Sequence, residues 1–314
     1  MTALLDQTAE NETPFQTRDG VEGLALHPDA RIVELSSPPT ASELDDFTIS
    51  GVGIARSLLS GDEIAEVRDV FQAAGDQGPQ EGVSDPKMLD ENDAGRDAML
   101  RRFPRMLQPH RKADSDFGRL ALHWMLEDRI TRVIRGLYDE EPIAAQSMYY
   151  FKGPGARGQS LHQDNFFLAV RPGTCIAAWI AVDDCDEENG AMAVVPGSGD
   201  WDLICNGSSS STENADEFWG DSSLDLPPGV EPEVARMKAG DVLFFNGSLV
   251  HGSYRNRSAD RFRRSLIFHY APKSCRQISD FYHPVLALDG TPQTRESAIA
   301  GGPCGSSAQT VMMG

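Results

Sequence analysis

The chain has 314 residues, 40% of them hydrophobic, and its 48 acidic against 28 basic residues give a net charge of −20. This charge argues against nucleic acid and anionic membranes as partners, because phosphate binding needs a basic surface. No stretch reaches the roughly 18 apolar residues of a membrane span, and the first residues do not have the pattern of a signal peptide. The five cysteines include no C-x-x-C pair. We therefore expect neither a disulfide framework nor a zinc site, and we expect a cytoplasmic protein.

The N-terminal part of the chain combines a polar segment with a helical signal. Residues 1–40 are polar, contain proline and lack periodicity, so they are predicted to form a flexible arm. A short strand is predicted at 49–55. Ser60 and Glu63 then have the spacing of a capping box, in which each residue satisfies a backbone N–H of the other. Apolar residues at helical spacing follow, so the helix is predicted to continue to about residue 74.

After a second predicted helix at 115–138, the pattern changes to short strands. These strands are predicted at 144–151, 166–170, 175–182, 191–195, 233–238, 242–246 and 262–270. Many short strands separated by turns indicate a barrel or jelly roll. One mainly β domain with flanking helices is therefore predicted over 41–285, with the helices outside the sheet. An acidic, Ser-rich insert at 205–228 is either a lid over the mouth of the barrel or a surface loop, and residues 286–314 are predicted to be a C-terminal tail.

One short motif carries the chemistry. His162 and Asp164 are two residues apart, and in a strand residues i and i+2 point to the same face. They are therefore predicted to project side by side into one cavity. His251 follows the apolar run 242–245. Two histidines and one carboxylate form the facial triad that holds non-haem Fe(II) and leaves coordination positions open, although the spacing alone does not exclude Zn, Mn or Ni.

Together with the segments around it, this motif resembles the phytanoyl-CoA dioxygenase family of Fe(II)/2-oxoglutarate-dependent oxygenases, which includes ectoine hydroxylases. The matching segments are Leu-His-Gln-Asp at 161–164, Ala-Trp-Ile-Ala at 178–181, Asn-Gly-Ala-Met-Ala-Val-Val-Pro-Gly-Ser at 189–198, Gly-Asp-Val-Leu-Phe-Phe at 240–245, His-Gly-Ser at 251–253 with Asn256, and Phe-Arg at 262–263. They occur in the family's order over about residues 47 to 285.

The resemblance implies a double-stranded β-helix (a jelly roll, cupin-like core) and an enzyme that uses Fe(II), 2-oxoglutarate and O2, with ascorbate as an optional aid. His162, Asp164 and His251 would be the metal ligands and the catalytic centre. The distal carboxylate of 2-oxoglutarate needs a cation. Arg263 is the best candidate, since a guanidinium holds a carboxylate through two parallel hydrogen bonds. Arg264 would point the other way.

The remaining predicted site residues would surround the cosubstrate. By the resemblance, Ser253 would donate to the same carboxylate, and Met148 and Trp179 would line its pocket. Gln146 lies on the same strand face as Met148 and would touch cosubstrate or substrate. The alternative for Met148 and Trp179 is packing in the core.

The predicted activity is hydroxylation of an unactivated C–H bond of a small molecule by a monomer or homodimer, with release of succinate and CO2. Asp164 favours this reaction, because related halogenases have a small residue in place of the acid. Two alternatives stay open. One is a cupin-like protein that binds a metal without catalysis, and the other is an oxidase or isomerase of the same family that transfers no hydroxyl group.

Overall fold

The structure, a computed structural model, describes residues 17–85, 102–205, 218–219, 224 and 226–298. Its helices are α1 (Ala41–Ser50), α2 (Gly61–Asp76), α3 (Asp116–Met125), α4 (Asp128–Tyr138) and α5 (Asn165–Leu168). Its strands are β1 (Thr17–Asp19), β2 (Val33–Glu34), β3 (Val52–Ala55), β4 (Met106–Leu107), β5 (Pro142–Tyr150), β6 (Gly158–His162), β7 (Ile176–Ala181), β8 (Met192–Val194), β9 (Leu203–Cys205), β10 (Phe218–Trp219), β11 (Glu233–Ala235), β12 (Val242–Asn246), β13 (His251–Ser253), β14 (Ser265–Pro272), β15 (Gln277–Ser279), β16 (Val285–Leu286), β17 (Pro292–Gln293) and β18 (Glu296–Ala298).

Two sheets enclose the centre of the protein. The major sheet has the order β17-β16-β5-β14-β7-β12-β3-β2, with β4 beside β5, and the minor sheet has the order β10-β6-β13-β8-β11. An apolar core that includes Trp179, Met192 and Phe245 joins the inner faces of the two sheets. This arrangement is the predicted mainly β jelly roll, and it brings the strand that ends in His162 next to the strand that begins with His251.

The helices other than α5 cover the other face of the major sheet, as predicted. A second apolar core joins α2, α3 and α4 to the outward side chains of that sheet. For example, Phe71 of α2 stacks on Tyr149 of β5 with ring centroids 3.9 Å apart. The predicted capping box is present, because Ser60 accepts from the Glu63 backbone and Glu63 accepts from the Ser60 backbone.

Several predicted boundaries are wrong. The predicted helix at 115–138 is two helices, α3 and α4, because the chain turns at Leu126 and resumes with an extended Glu127 as the N-cap of α4. The predicted strand at 49–55 begins only at Val52. The residues before it belong to α1, which ends at Gly51 with a positive φ of 71°.

The prediction of a strand at 166–170 is also wrong, since Asn165–Leu168 is a short helix. A short apolar run cannot be assigned to strand or buried helix by periodicity alone. The Asn165 side chain decides it here, because Asn165 Oδ1 accepts from the Val170 backbone N–H at 3.0 Å and closes the turn.

Parts of the predicted arm and tail belong to the fold. From the arm, β2 pairs with β3 and β1 pairs with β9. From the tail, β17 pairs with β16 and β18 pairs with β15. Residues 1–16 and 299–314 lie outside the described part of the chain.

The predicted insert is described only in part. Within it, the backbone of β10 pairs in parallel with β6, and the question of a lid falls on residues outside the described ranges. Cys205 at its start is disulfide-bonded, a single bond that the cysteine count did not predict, whereas Cys175, Cys185 and Cys275 are free. Among the described residues, the helices are all too short or too polar to span a bilayer.

Candidate metal centre

Antiparallel pairing of two strands places the predicted histidines side by side. His162 ends β6, His251 begins β13, and the two residues are direct partners in the ladder. Their ring centroids are 4.3 Å apart. Asp164 lies beyond the end of β6, at the start of α5. The side chains therefore converge as predicted, but a strand end and a helical turn bring His162 and Asp164 together, not alternation within one strand.

The three side chains present one donor atom each to a common point. Asp164 Oδ1 lies 3.4 Å from His162 Nε2 and 3.5 Å from His251 Nε2. One ligand atom from each residue can be chosen so that all lie within 4.8 Å of one another. This spacing suits a single bound cation, and the set of two imidazoles and one carboxylate suits a divalent transition metal with open positions.

Backbone contacts fix which nitrogen of each histidine is available. His162 Nδ1 lies 2.8 Å from the Ser160 carbonyl oxygen, and His251 Nδ1 lies 2.9 Å from the Leu249 carbonyl oxygen. Because a carbonyl only accepts, each Nδ1 carries the hydrogen, and each Nε2 keeps a lone pair for a metal. Burial lowers the pKa of His251 to about 4, so this imidazole is neutral at pH 7.

The carboxylate supplies the negative charge of the site. Burial raises the pKa of Asp164, but the three imidazoles around the carboxylate, those of His251, His269 and His162, outweigh that effect. The pKa of Asp164 is therefore held well below its usual value. An ionised carboxylate beside the Nε2 atoms of two imidazoles has the donor chemistry that a divalent metal needs.

The predicted cosubstrate residues lie near this centre. Gln146, Met148, Trp179 and Arg263 line the same cavity as the three ligand candidates. Ser253 is buried on β13, and its hydroxyl accepts from Lys152 Nζ at 2.8 Å. The structure thus gathers the predicted set in and around one cavity between the two sheets.

The two adjacent arginines face opposite sides, as predicted. Arg263 is 3% exposed and lines the cavity. Its guanidinium donates to the Gly190 carbonyl oxygen at 3.1 Å and to Ser265 Oγ at 2.9 Å, and it lies 5.2 Å from the Trp179 ring centre. Arg264 points away and makes two hydrogen bonds of 2.8 Å to Asp183 from its Nε and Nη2.

His269, Gln159 and Arg105 are among the cavity residues that sequence reasoning missed. His269 Nε2 lies 2.9 Å from Asp164 Oδ2, and Gln159 Nε2 lies 3.3 Å from His162 Nε2. Arg105 lines the cavity with its Nη1 3.3 Å from the Tyr150 hydroxyl. A signal existed for His269, since it alternates with Arg263 in the predicted strand. Gln159 had none, because an irregularity in the pairing of β6 with β13 turns it toward His162.

The fold and the site together define a double-stranded β-helix protein with a candidate mononuclear metal centre. The sequence model described as "Phytanoyl-CoA dioxygenase (PhyH)" matches residues 48–265. The chain belongs to the phytanoyl-CoA dioxygenase family. Phytanoyl-CoA dioxygenase 1 of Oryza sativa subsp. japonica is 33% identical over 132 residues, which are 41% of this chain and 45% of the relative.

The peroxisomal phytanoyl-CoA dioxygenase of Rattus norvegicus is 32% identical over 120 residues, 38% of this chain and 35% of the relative. The match therefore spans less than half the length of these curated relatives. Solved structures are similar over more of the chain. AviO1 from Streptomyces viridochromogenes Tue57 has a TM-score of 0.55 at 20% identity, over 75% of this chain and 96% of that one.

EctD from S. alaskensis, solved with 2-oxoglutarate and 5-hydroxyectoine, has a TM-score of 0.54 at 21% identity, over 82% of each chain. The carbocyclase SnoK from nogalamycin biosynthesis, described as non-heme and alpha ketoglutarate dependent, has a TM-score of 0.55 at 18% identity, over 82% of this chain and 94% of that one. These similarities confirm the predicted fold.

Proposed function

We propose that this protein is an Fe(II)- and 2-oxoglutarate-dependent dioxygenase that hydroxylates a C–H bond of a small molecule, with release of succinate and CO2. The observation that carries the proposal is the convergence of His162, Asp164 and His251 in one cavity with the buried Arg263. The family supports it, and so do the fold neighbours described with 2-oxoglutarate.

The three ligand candidates would hold iron on one side only. His162 and His251 offer their Nε2 lone pairs, since each Nδ1 is hydrogen-bonded to a carbonyl, and Asp164 offers Oδ1. Three protein ligands leave coordination positions for the cosubstrate and oxygen. When bound, iron supplies the oxidising chemistry that couples loss of CO2 from 2-oxoglutarate to attack on the substrate, and ascorbate would help to keep the metal ferrous.

Arg263 would bind the distal carboxylate of 2-oxoglutarate. Hydrogen bonds to the Gly190 carbonyl oxygen and Ser265 hold the guanidinium in place before any ligand arrives. Its surroundings are buried, so water would screen a carboxylate partner only weakly. Lys152 donates to Ser253 Oγ, which leaves the Ser253 hydroxyl hydrogen available for the same carboxylate.

Other cavity residues would orient the cosubstrate and the substrate. Met148 and Trp179 pair with the central strand β14 from its two sides, both opposite Ile267, and they would hold the cosubstrate chain between them. Gln146 would donate or accept a hydrogen bond beside it. Phe167, Met192 and Phe281 add apolar walls to the cavity. These walls would exclude water from the reacting C–H bond.

A second candidate is an oxidation of the same kind that transfers no oxygen to the product. Two fold neighbours favour it, because SnoN is described as an epimerase and SnoK as a carbocyclase. In this protein, hydroxylation and the second candidate reaction would use the same metal and cosubstrate residues. A protein that binds a metal without catalysis would have no use for a buried guanidinium in the metal cavity, and Arg263 therefore argues against that alternative.

The test is turnover. The protein is loaded with Fe(II) and incubated with 2-oxoglutarate, O2 and a panel of small metabolites, and succinate and product mass are measured. We expect succinate formation that depends on iron. When the O2 is isotopically labelled, we expect a product that carries one labelled oxygen atom. Succinate formed in equal amount to a product that contains no oxygen from O2 would establish the second candidate. No succinate with any member of the panel, and none in its absence, would contradict both.

A further inference from the structure

His269 contacts one oxygen of the Asp164 carboxylate, and the other two histidines lie near the other oxygen. Its Nε2 lies 2.9 Å from Asp164 Oδ2, whereas Oδ1 is the oxygen near His162 and His251. The two oxygens of one carboxylate thus have different partners. His269 is also outside the group of side chains whose donor atoms all lie close together. It therefore contacts a metal ligand and does not act as one.

The hydrogen on the His269 ring can be assigned to Nε2. An ionised carboxylate only accepts, so the nitrogen that contacts Asp164 must donate. His269 Nδ1 is buried and has no hydrogen-bond partner in the part of the chain that the structure describes. A hydrogen on that nitrogen would be buried without an acceptor, which is unfavourable. The contact is consequently a hydrogen bond from His269 to Asp164 Oδ2.

The two residues differ in how firmly the backbone holds them. His269 lies in β14, which pairs with β5 on one side and β7 on the other, and its side chain is 5% exposed. Asp164 precedes the four-residue helix α5 and makes no side-chain cap hydrogen bond. The local turn does not fix the Asp164 carboxylate, but a histidine from the centre of the major sheet does.

We propose that His269 is a positioning residue that holds Asp164 as a one-oxygen metal ligand, an inference that rests on the metal centre of the proposed function. With Oδ2 bound to His269, Oδ1 remains to face the nitrogens of His162 and His251. A carboxylate that used both oxygens would fill one more coordination position. That position is needed for 2-oxoglutarate or oxygen, since the protein ligands must leave one side open.

The test compares three variants in the full chain. His269→Leu removes the donor and keeps apolar bulk, and His269→Gln keeps an N–H at a similar reach. His110→Leu is the control, because His110 is equally buried, makes one side-chain contact to Ser147 Oγ at 2.6 Å, and does not line the cavity. Co(II) affinity and the visible absorption of bound Co(II) are measured without 2-oxoglutarate.

We expect His269→Leu to weaken Co(II) binding by about 10- to 100-fold and to change the Co(II) spectrum. His269→Gln should bind Co(II) nearly as well as the parent, and His110→Leu should keep the parent's affinity and spectrum. If His269→Leu does not fold, His269→Asn replaces it, since the shorter amide does not reach Asp164.

Two results would overturn the inference. One is a His269→Leu or His269→Asn variant with the parent's Co(II) affinity and spectrum. The other is a His269→Gln variant that binds Co(II) as weakly as His269→Leu. The proposed function can fail separately from the inference. This is the case when the parent binds Co(II) and His269→Leu weakens that binding as expected, but the parent never forms succinate with Fe(II). Turnover by the parent together with an unaffected His269→Leu would refute the positioning role alone.

Discussion

Arg263 and Arg264 are adjacent in sequence, but only Arg263 lines the cavity. Arg263 is buried against Trp179 in the cavity. The Arg264 side chain points to the opposite face, where it contacts Asp183 and does not line the cavity. Alternation of side chains along an extended chain explains the difference, and the two residues form a matched pair for experiment.

We predict that Arg263→Gln raises the KM for 2-oxoglutarate at least tenfold, because a hydrogen bond to a charged group contributes about 1.5–3 kcal/mol. Arg264→Gln should leave this KM unchanged and lower the melting temperature, because it removes the nearer of the two guanidinium groups, those of Arg264 and Arg68, that contact the partly buried Asp183. Steady-state kinetics and thermal unfolding of both variants check this. A larger effect on KM from Arg264→Gln would contradict the assignment.

At the residue scale, the sequence was sufficient to predict the three candidate ligands but not the residues that contact them. His162, Asp164 and His251 could be predicted from residue type and family motifs. The contact of His269 with Asp164 depends on how β14 lies against the end of β6. The two residues are 105 positions apart in the sequence. The neighbouring Gln159 reaches His162 only through a strand irregularity, and no local pattern encodes it.

At the scale of elements, the candidate metal centre depends on a close approach of β6 and β13. A side-chain carbon added at Gly252 would lie 2.6 Å from the Gln159 carbonyl oxygen and 3.1 Å from that of Ser160. Real Cβ atoms do not approach a backbone so closely. Gly252 therefore allows the two strands to pair at the distance that brings His251 against His162.

We predict that Gly252→Ala forces the strands apart, lowers the free energy of unfolding by about 1–3 kcal/mol and weakens metal binding. Urea unfolding and Co(II) titration measure the two effects. Gly61→Ala is the control, because nothing lies within 4 Å of the added carbon at the start of α2. A Gly252→Ala protein with parental stability and metal affinity would show that the close approach is not required.

A second element-scale feature joins α2 to α4. Glu63 accepts from Arg129 Nη2 at 2.7 Å and from the Ser60 backbone at 2.8 Å. The hydrogen bond from Arg129 is the main cause that lowers the pKa of Glu63 to about 2, from a usual value of 4.5. The stability from this group is therefore present above pH 4.5 and is lost as the pH falls toward 2.

We predict that Glu63→Gln lowers the free energy of unfolding at pH 7 by about 1 kcal/mol or less, since the pair is partly exposed to solvent. The difference from the parent should shrink between pH 4.5 and pH 2, because the parent's carboxylate becomes protonated there. Urea unfolding across this range tests it, with Glu66→Gln on the exposed face of the same helix as reference. A difference that stays constant with pH would contradict the linkage.

The elements were predictable where local signals were strong. The capping box of α2 and the apolar strands β5, β7 and β12 lie close to their predicted positions. The helix α5 was mistaken for a strand, because a short buried apolar run fits both structures. The pairing of β2 with β3 could not be read from the sequence, since two residues carry no periodicity.

At the scale of the whole molecule, the two sheets contribute different residues to the candidate site. The minor sheet carries His162 and His251 on neighbouring strands, and the chain that leaves it carries Asp164. The major sheet brings Met148 and Trp179 to the same cavity, and Arg263 precedes its strand β14. Neither sheet alone could bind metal and cosubstrate together, so closing the jelly roll completes the proposed site.

The overall architecture was predictable from many short strands and the family motifs, whereas the substrate was not. The motifs cover the residues that would bind iron and 2-oxoglutarate, which members of a family can share. The remaining cavity walls, such as Phe167, Leu168 and Phe281, come from segments without a motif. Their arrangement follows from tertiary packing, and a sequence pattern does not report it.

The central claim is that one site binds metal and 2-oxoglutarate together. The most direct measurement is titration of 2-oxoglutarate into the anaerobic protein with and without Fe(II), followed by calorimetry and visible absorption. We predict binding that is at least tenfold tighter with Fe(II), a new absorption band, and loss of both in Asp164→Ala. Equal affinity with and without Fe(II), or unchanged binding in Asp164→Ala, would contradict the claim.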